Sequence, residues 1–345
     1  MLERCRLADL EDALRHGGRW VPITDLIHEA PPNYELSKAW PAGNAQRTLN
    51  AQAKQGQRDT LYLPSALWKW EPPNRDPSKC SLRRVTLQSW CSALLAHNLS
   101  RIMFVGESLQ HQMYQSLVNL LGIDINSTLD SHLARTLIGA CHDGRHFQMR
   151  WIRNDFLEDD LTKSHCSLDG IQNCTRCTEH RQPPVIGKDF CLPFLHEYVD
   201  SHQQTLLVLN TGPHFHDTIS FRHDFDRFLD RLDQVARQIP KNRHDMVVFR
   251  TSVPGHEDCH RFTRPLDTPP PNISRQYTWD LIPAFNEIAR GMLSHRRHTP
   301  VDLLDVAPMT LLRPDGHLDC LHYALPGPID WWNAALLAQL HSSRA

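Results

Sequence analysis

A serine at the end of an apolar run is the first feature of this chain that suggests chemistry. In RIMFVGESLQHQMYQSL, residues 101–117, a strand-like run meets Gly106, Glu107 and Ser108, and apolar residues then recur at helical spacing. A serine there sits at a helix N-terminus, whose free N–H groups and partial positive charge favour an oxyanion. Gly106 would permit a tight turn. The hydroxyl still needs a base, because free serine is a poor nucleophile. The same position also suits a plain helix cap, for which serine is a preferred residue.

A base is offered near the C-terminus, in DGHLDCLHYALPGPIDWWNAAL (315–336). Asp319 and His322 stand three residues apart, a spacing that puts both side chains on one side of a turn or helical segment. Asp319 would hold the imidazole through Nδ1 and leave Nε2 for a serine hydroxyl, in the chain order Ser, Asp, His. Asp315, His317 and Asp330 are competing candidates, and with 22 histidines in the chain some Asp–His proximity is cheap.

The elements that must position these residues alternate. RIMFV (101–105), TLLVLNTG (205–212), DMVVFRTSVPG (245–255) and VDLLDVAPMT (301–310) read as strands. SLQHQMYQSLVNLL follows the first, with Leu109, Met113, Leu117 and Leu121 in helical register. Residues 221–239 place Phe221, Phe225, Phe228, Leu232, Val235 and Ile239 on one helical face; 279–293 and 329–340 read as two further helices, with Pro283 in the first turn or at a kink of the former. Alternation of this kind predicts a mostly parallel sheet covered on both faces, with a site beyond the carboxyl ends of its strands. Gly106-Glu107-Ser108, Asn210-Thr211-Gly212 and Arg250-Thr251-Ser252 would all face that crevice. Residues 1–100 read as a loop-rich N-terminal part packed on a catalytic domain of 101–345, with helix near RRVTLQSWCSALLAHN. Tyr62, Trp68, Trp70 and Trp90 within it would cap a core or form a sugar-stacking surface.

The formal net charge of −2 leaves no basic field for nucleic acid, and 40% hydrophobic residues argue against global disorder. Ten cysteines and sequons at Asn98, Asn126, Asn173 and Asn272 favour an oxidising secretory compartment over a cytosol with reduced thiols. The start, MLERCRLADLEDALRHGG, has no apolar signal region, and no run in the chain is long enough to span a bilayer. Membrane contact would come only through a missing N-terminal anchor. Cys174-Thr-Arg-Cys177, with Cys166, Cys191 and His165, suits either disulfides or zinc, with disulfides preferred and no metal expected. His214 and His216 would line an acceptor cleft, bind metal, or be loop residues; His256 and Arg250 would touch sugar or shape the site.

Together the blocks carry a resemblance. FVGESLQHQMYQSLVNLL resembles the FVGDSL block of the trichome birefringence-like family, in the PC-esterase group of SGNH-like hydrolases. DCLHYALPGPIDWWNAALL is similar to its C-terminal Asp-x-x-His block, LVLNTGPHFH to its Asn-x-Gly strand end, VVFRTSVPGHEDC to its Arg-Thr-x-x-Pro-x-His segment, and LWKWEPPNRDPSKCSL to its N-terminal Trp-x-Trp…Cys block. The blocks span roughly residues 60–340 in order. The resemblance implies a three-layer α/β/α SGNH-hydrolase-like sandwich and O-acetyl transfer to cell-wall polysaccharides in the Golgi. It implies Ser108 as nucleophile, His322 as base and Asp319 as its partner. Asn210 and the Ser108 N–H become candidates for the oxyanion hole, with Gly106 at the turn beside them and Gly212 allowing close backbone approach. It also implies a polysaccharide or oligosaccharide acceptor and no cofactor beyond an acetyl donor such as acetyl-CoA as co-substrate. Esterase activity and a catalytically degenerate glycan-binding protein are the alternatives. Glu107 stands where the family usually has Asp, His111 where it has Arg, and Ala324 where it has Cys, so at least one family disulfide must differ.

Overall fold

The structure is a computed structural model of the chain and describes residues 7–24, 64–71, 82–123, 133–159, 189–295 and 299–342. Its centre is a six-stranded sheet in the order β4-β5-β3-β6-β7-β8. The strands are β3 (Arg101–Gly106), β4 (Ala134–Ala140), β5 (His146–Arg153), β6 (Thr205–Leu209), β7 (Met246–Arg250) and β8 (Asp302–Leu304). β3 pairs in parallel with β5 and β6, β6 with β7, and β7 with β8; β4 runs antiparallel to β5 at the edge.

Side chains alternate across the central strands, as a sheet buried on both faces requires. Ile102 and Phe104 of β3 join one core with Leu206, Val208 and Val248. Helices α2 (Leu87–Ala96), α3 (Ser108–Leu120) and α8 (Pro328–His341) cover that face. Met103 and Val105 point the other way, into a second core with Leu207, Leu209 and Phe249 under α4 (Leu195–Asp200), α5 (Thr218–Ala236) and α6 (Ile282–Ser294). The result is a three-layer α/β/α sandwich.

The helices start where local chemistry says they should. Thr86 and Ser89 form a reciprocal capping box on α2. The Asp217 carboxylate accepts the N–H groups of Ile219 and Ser220 at the head of α5, both at 2.8 Å. Pro283 lies in the first turn of α6, where its missing N–H does no harm. In α5, Phe221, Phe225, Phe228, Leu232 and Val235 are buried as the periodicity predicts; Ile239 lies past the helix end but still packs on the core.

Three sequence expectations need adjustment. The strand expected over 301–310 is only Asp302–Leu304, and Ala307–Thr310 then forms a short helix, α7. The β4–β5 hairpin was not anticipated. Near the N-terminus, α1 (Leu7–His16) precedes β1 (Arg19–Pro22), which pairs antiparallel with β2 (Trp68–Glu71). This small layer rests on the C-terminal elements: Trp20 Nε1–H donates to Met309 O at 2.8 Å, and Arg313 Nη2 to Ser65 O at 2.6 Å. Trp70 and Trp90 are core residues and Trp68 packs against them, which favours the core-capping reading of these aromatics; Tyr62 lies outside the described residues.

The chain leaves β3 toward β5 on one side, then returns to place β6 on the other. β3 and β6 therefore flank a topological switch point, where a crevice opens beyond their carboxyl ends.

Candidate active site

β3 is buried along its whole length and ends at Gly106. A Cβ there would lie 2.8 Å from the Asn210 carbonyl oxygen and 2.9 Å from Gln110 Cβ. The glycine lets two strand ends approach closely; its φ is not in the left-handed region, so no turn requires it. Glu107 is the N-cap of α3, and Ser108 is its first residue. One Glu107 oxygen, Oε2, accepts the Leu109 N–H at 2.8 Å and lies 3.1 Å from Ser108 Oγ. The other, Oε1, meets Arg250 Nη2 at 3.4 Å. The extra methylene relative to Asp is accommodated, because the buried Arg250 takes the longer carboxylate.

Arg250 has no exposure and is held from three sides. Nε–H donates to Gln110 Oε1 at 2.8 Å, Nη1 donates to Thr251 O at 2.8 Å, and the guanidinium lies 4.6 Å over the Trp332 ring. Burial lowers its pKa to about 10 despite the opposing pull of Glu107, so it remains a cation at neutral pH. Arg250 therefore shapes the corner from beneath and offers no exposed surface to a sugar. His111, where the family usually has Arg, is buried and stacked on Trp151 at 4.8 Å.

The second half of the site is a loop between the helical turn Pro314–Gly316 and α8. Asp319 Oδ1 accepts the N–H groups of Leu321 at 3.1 Å and His322 at 2.6 Å, closing a local turn. Its Oδ2 meets His322 Nδ1 at 2.9 Å. His322 Nε2 then lies 2.9 Å from Ser108 Oγ. Sequence-distant Ser108, His322 and Asp319 thus form one continuous hydrogen-bonded line. Partial burial raises the Asp319 carboxyl, but the hydrogen bond and charge of His322, with the two N–H donors, bring it down to about 2. The carboxylate is half-exposed and stays ionised through the acid range.

Two devices hold this loop and the start of α8 on the helix that Ser108 begins. Gln112, one helical turn beyond Ser108, clamps the Tyr323 backbone: Nε2–H donates to Tyr323 O at 2.8 Å, and Oε1 accepts Tyr323 N–H at 3.0 Å. One turn further on, Ser116 Oγ–H donates to Asp330 Oδ1 at 2.6 Å. On the other side, a Cys259–Cys320 disulfide ties the loop to residues 256–262, and His256 N–H donates to Cys320 O at 2.9 Å. His256 itself is buried, with Nδ1 2.7 Å from His317 Nε2, and His317 stacks on Tyr323. The competing acids have other partners: Asp315 is paired with Arg313, and Asp330 caps α8 by accepting the Gly327 N–H.

Asn210 does not present its amide to the crevice. Both amide protons point into the fold, to Arg250 O at 3.0 Å and Ser252 Oγ at 2.9 Å. It ties the β6 and β7 ends together, so in this structure the amide expected to serve an oxyanion donates inward instead. Gly212 does occupy a conformation that favours glycine, with φ +148°, and a Cβ would lie 2.8 Å from Ser252 Oγ.

His214 is buried beside the corner. Its Nδ1–H donates to Asp189 Oδ1 at 2.8 Å, and Nε2 lies 3.8 Å from Asp155 Oδ1. Burial lowers its pKa, but Asp155 and Asp189 more than compensate and hold it above the usual histidine value. Asp155, Asp189 and His214 could together offer three metal-ligand atoms. Asp155 is already engaged by Arg153 and by the Phe190 N–H, so the group forms a satisfied hydrogen-bonded network. His216 is exposed. Cys91 pairs with Cys141, and Cys191 is disulfide-bonded, which favours disulfides over zinc at that position; Cys166, Cys174, Cys177 and His165 lie outside the described residues.

Among the described residues a groove of about 830 Å³ opens at the opposite pole between Leu95, Asn98, His146 and Arg243. It sits at the amino ends of the parallel strands, away from Ser108. The chemistry outranks the volume here, because open α/β sheets bind substrates at the carboxyl ends.

Gln112, Asp155 and Asp189 were not singled out from sequence. Gln112 had a partial signal: Ser108, Gln112 and Ser116 recur every four residues on one side of the helix, although Gln110, His111, Gln115 and Asn119 make its other sides polar in places too. Asp155 and Asp189 had none, since their meeting with His214 depends on strand order.

Chemically, the line from Asp319 to Ser108 can take a proton from a serine hydroxyl at a helix N-terminus. Residues 93–339 match the family model "PC-Esterase: GDSL/SGNH-like Acyl-Esterase family found in Pmr5 and Cas1p". Trichome birefringence-like 7 of Arabidopsis thaliana is 33% identical over 93% of this chain and 71% of its own length. Xyloglucan O-acetyltransferase 1 of the same plant is 37% identical over 83% of this chain and 72% of its own. Xyloglucan O-acetyltransferase 4 of Populus trichocarpa is 24% identical over 83% and 73%. With a family model covering most of its length and relatives of this identity, the chain belongs to the trichome birefringence-like branch of the PC-esterase family.

Proposed function

We propose that this chain is an O-acetyltransferase acting on polysaccharide hydroxyls through an acyl-enzyme on Ser108. The observation that carries the reading is the line Asp319–His322–Ser108, with both contacts at 2.9 Å. His322 Nε2 takes the Ser108 proton as Oγ attacks the acetyl carbonyl. The tetrahedral oxyanion is met by the Ser108 backbone N–H at the head of α3, next to the close-packed Gly212 turn. His322 then returns the proton to the leaving group, and acetyl-Ser108 remains. A sugar hydroxyl next gives its proton to His322 and attacks the acyl carbon, so that acetyl leaves on the sugar and the proton returns to Ser108 Oγ. The relatives named as xyloglucan O-acetyltransferases support a polysaccharide acceptor and an acetyl group. Acetyl-CoA or another activated acetyl ester is the donor in this reading, and the secretory pathway, with the Golgi lumen foremost, is the compartment. The disulfides Cys91–Cys141 and Cys259–Cys320 are consistent with it. No helix of the described residues is long and apolar enough to cross a membrane.

Hydrolysis is the second reading, because the matched family is described as an acyl-esterase and shares this machinery up to the acyl-enzyme. The test supplies the glycosylated chain with an activated acetyl ester and xyloglucan oligosaccharides beside Ser108→Ala, and follows acetyl on sugar and protein by mass spectrometry. Acetyl-sugar that depends on Ser108 is expected. Ser108-dependent free acetate without acetyl-sugar makes the protein an esterase, and turnover that survives Ser108→Ala refutes both.

A further inference from the structure

Two acceptors compete for one proton at Ser108. Oγ lies 2.9 Å from His322 Nε2 and 3.1 Å from Glu107 Oε2. A hydroxyl donates once and accepts through its lone pairs. When His322 is neutral, with its proton on Nδ1 toward Asp319, Nε2 is bare and the serine proton goes either to it or to Glu107. When His322 is cationic, both contacts are made together: Nε2–H donates to Oγ, and O–H donates to the Glu107 carboxylate. A complete chain from imidazolium through hydroxyl to carboxylate exists only in that acid form.

Glu107 is fixed for this role. It is buried, its Oε2 also accepts the Leu109 N–H, and its Oε1 is paired with Arg250. The charged and titratable neighbours include Arg250 at the end of β7 and His214 in the loop after β6 for Glu107, and Asp319 and His317 in its own loop for His322. None of them reaches Ser108 Oγ among the contacts of the described residues.

We propose that Glu107 is a positioning residue that draws the Ser108 hydroxyl away from His322 and stabilises the protonated, resting form of the site, and so sets where reactivity is lost on the acid side. The inference rests on the base-activated serine of the proposed function. It does not depend on the identity of donor or acceptor.

The test reads Ser108 directly. A fluorophosphonate phosphonylates a base-activated serine: Oγ bonds to phosphorus, fluoride leaves, and His322 takes the proton. Labelling rates of the full chain, with the adduct located at Ser108 by peptide mass, are measured from about pH 4.5 to 8.5 and normalised to each protein's own plateau. Glu107→Gln removes the charge while keeping the shape. Glu107→Asp keeps the charge and a favoured helix cap but withdraws the carboxylate from Oγ. Both variants are expected to move the acid limb to lower pH, Glu107→Gln by about one unit, which raises its relative rate near pH 5 about tenfold. Superimposable profiles would make Glu107 a helix cap only. A shift in Glu107→Gln without one in Glu107→Asp would assign the effect to charge at a distance and overturn the shared-proton contact. Wild-type protein that labels but transfers no acetyl would sink the transferase reading and leave this one standing; no labelling at all would sink both.

Discussion

Gln112→Met tests whether the loop that carries His322 is held by the helix that Ser108 begins. Met matches Gln closely in length and volume, so the change removes hydrogen bonds while leaving little cavity. Gln112 and Tyr323 are both buried, and the amide serves the Tyr323 N–H and C=O together. Losing it strands two buried backbone groups, at about 1–3 kcal/mol each, and the lower half of that range applies because the loop can relax toward solvent. A destabilisation of about 3 kcal/mol follows, read as a fall in Tm of roughly 5 °C for a chain of this size. The catalytic consequence is separable. His322 is bonded to Tyr323, and a displacement of its ring by about 1 Å costs roughly a hundredfold in rate. Gln112 touches no reacting atom in the structure, so kcat should fall by about that factor while KM for the acyl ester stays within about twofold. Differential scanning calorimetry and steady-state turnover of an activated acetyl ester measure the two effects. If Gln112→Met keeps kcat within about threefold of wild type while Tm falls as stated, the clamp stabilises the fold but does not place the base, and the positional reasoning fails.

Other outcomes follow from the same geometry. Asp319→Asn keeps the loop turn but loses the charge that fixes the His322 tautomer, so kcat should fall by roughly 10² to 10⁴ with little change in KM; a loss under about tenfold would mean that Asp319 only caps its turn. His214, held above the ordinary histidine value of 6.5 chiefly by Asp155 and Asp189 against its burial, contributes stability that is complete below the unfolded value and lost as pH rises through the folded one. Tm should therefore decline from about pH 6 to 8 in the wild type and less steeply in His214→Gln; identical slopes would deny the linkage. Asn98 and Asn272 lie in exposed sequons, so in protein made in a secretory host enzymatic deglycosylation should release the glycan and leave Asp at each, a peptide about 1 Da heavier than the encoded Asn peptide, and unmodified peptides at both positions would count against that compartment.

Local rules and long-range geometry divided the legible from the hidden. The buried strands at 101–105 and 205–209 were readable because fully covered strands leave continuous apolar runs, and α5 because its phenylalanines keep helical register. β5 is legible too: Phe147, Met149 and Trp151 alternate with Gln148 and Arg150, the period-two pattern of a strand with one polar side, although it is not a continuous apolar run like β3 and β6. Its partner β4 is an edge strand with one exposed face, where pattern is weakest. At the site, Ser108 and the Asp319–His322 pair each announced themselves locally, one as a strand-to-helix corner and the other as a three-residue spacing. What no local pattern contains is direction. Asn210 stands where a crevice-facing amide was expected, but the neighbouring end of β7 offers it a carbonyl and a hydroxyl on the inner side, and two good hydrogen bonds inside a buried site outweigh exposure to the cleft. Arg250 turns inward for a related reason: Glu107, Gln110, the Thr251 carbonyl and the Trp332 ring all engage it, and a buried guanidinium with those partners loses more by leaving them than it gains from solvent. The strand ends thus divide the labour. The outer groups of α3 and the Asp319 loop carry the hydrogen-bonded line on which the proposed chemistry rests, and the polar side chains of β6 and β7 lock the floor beneath them.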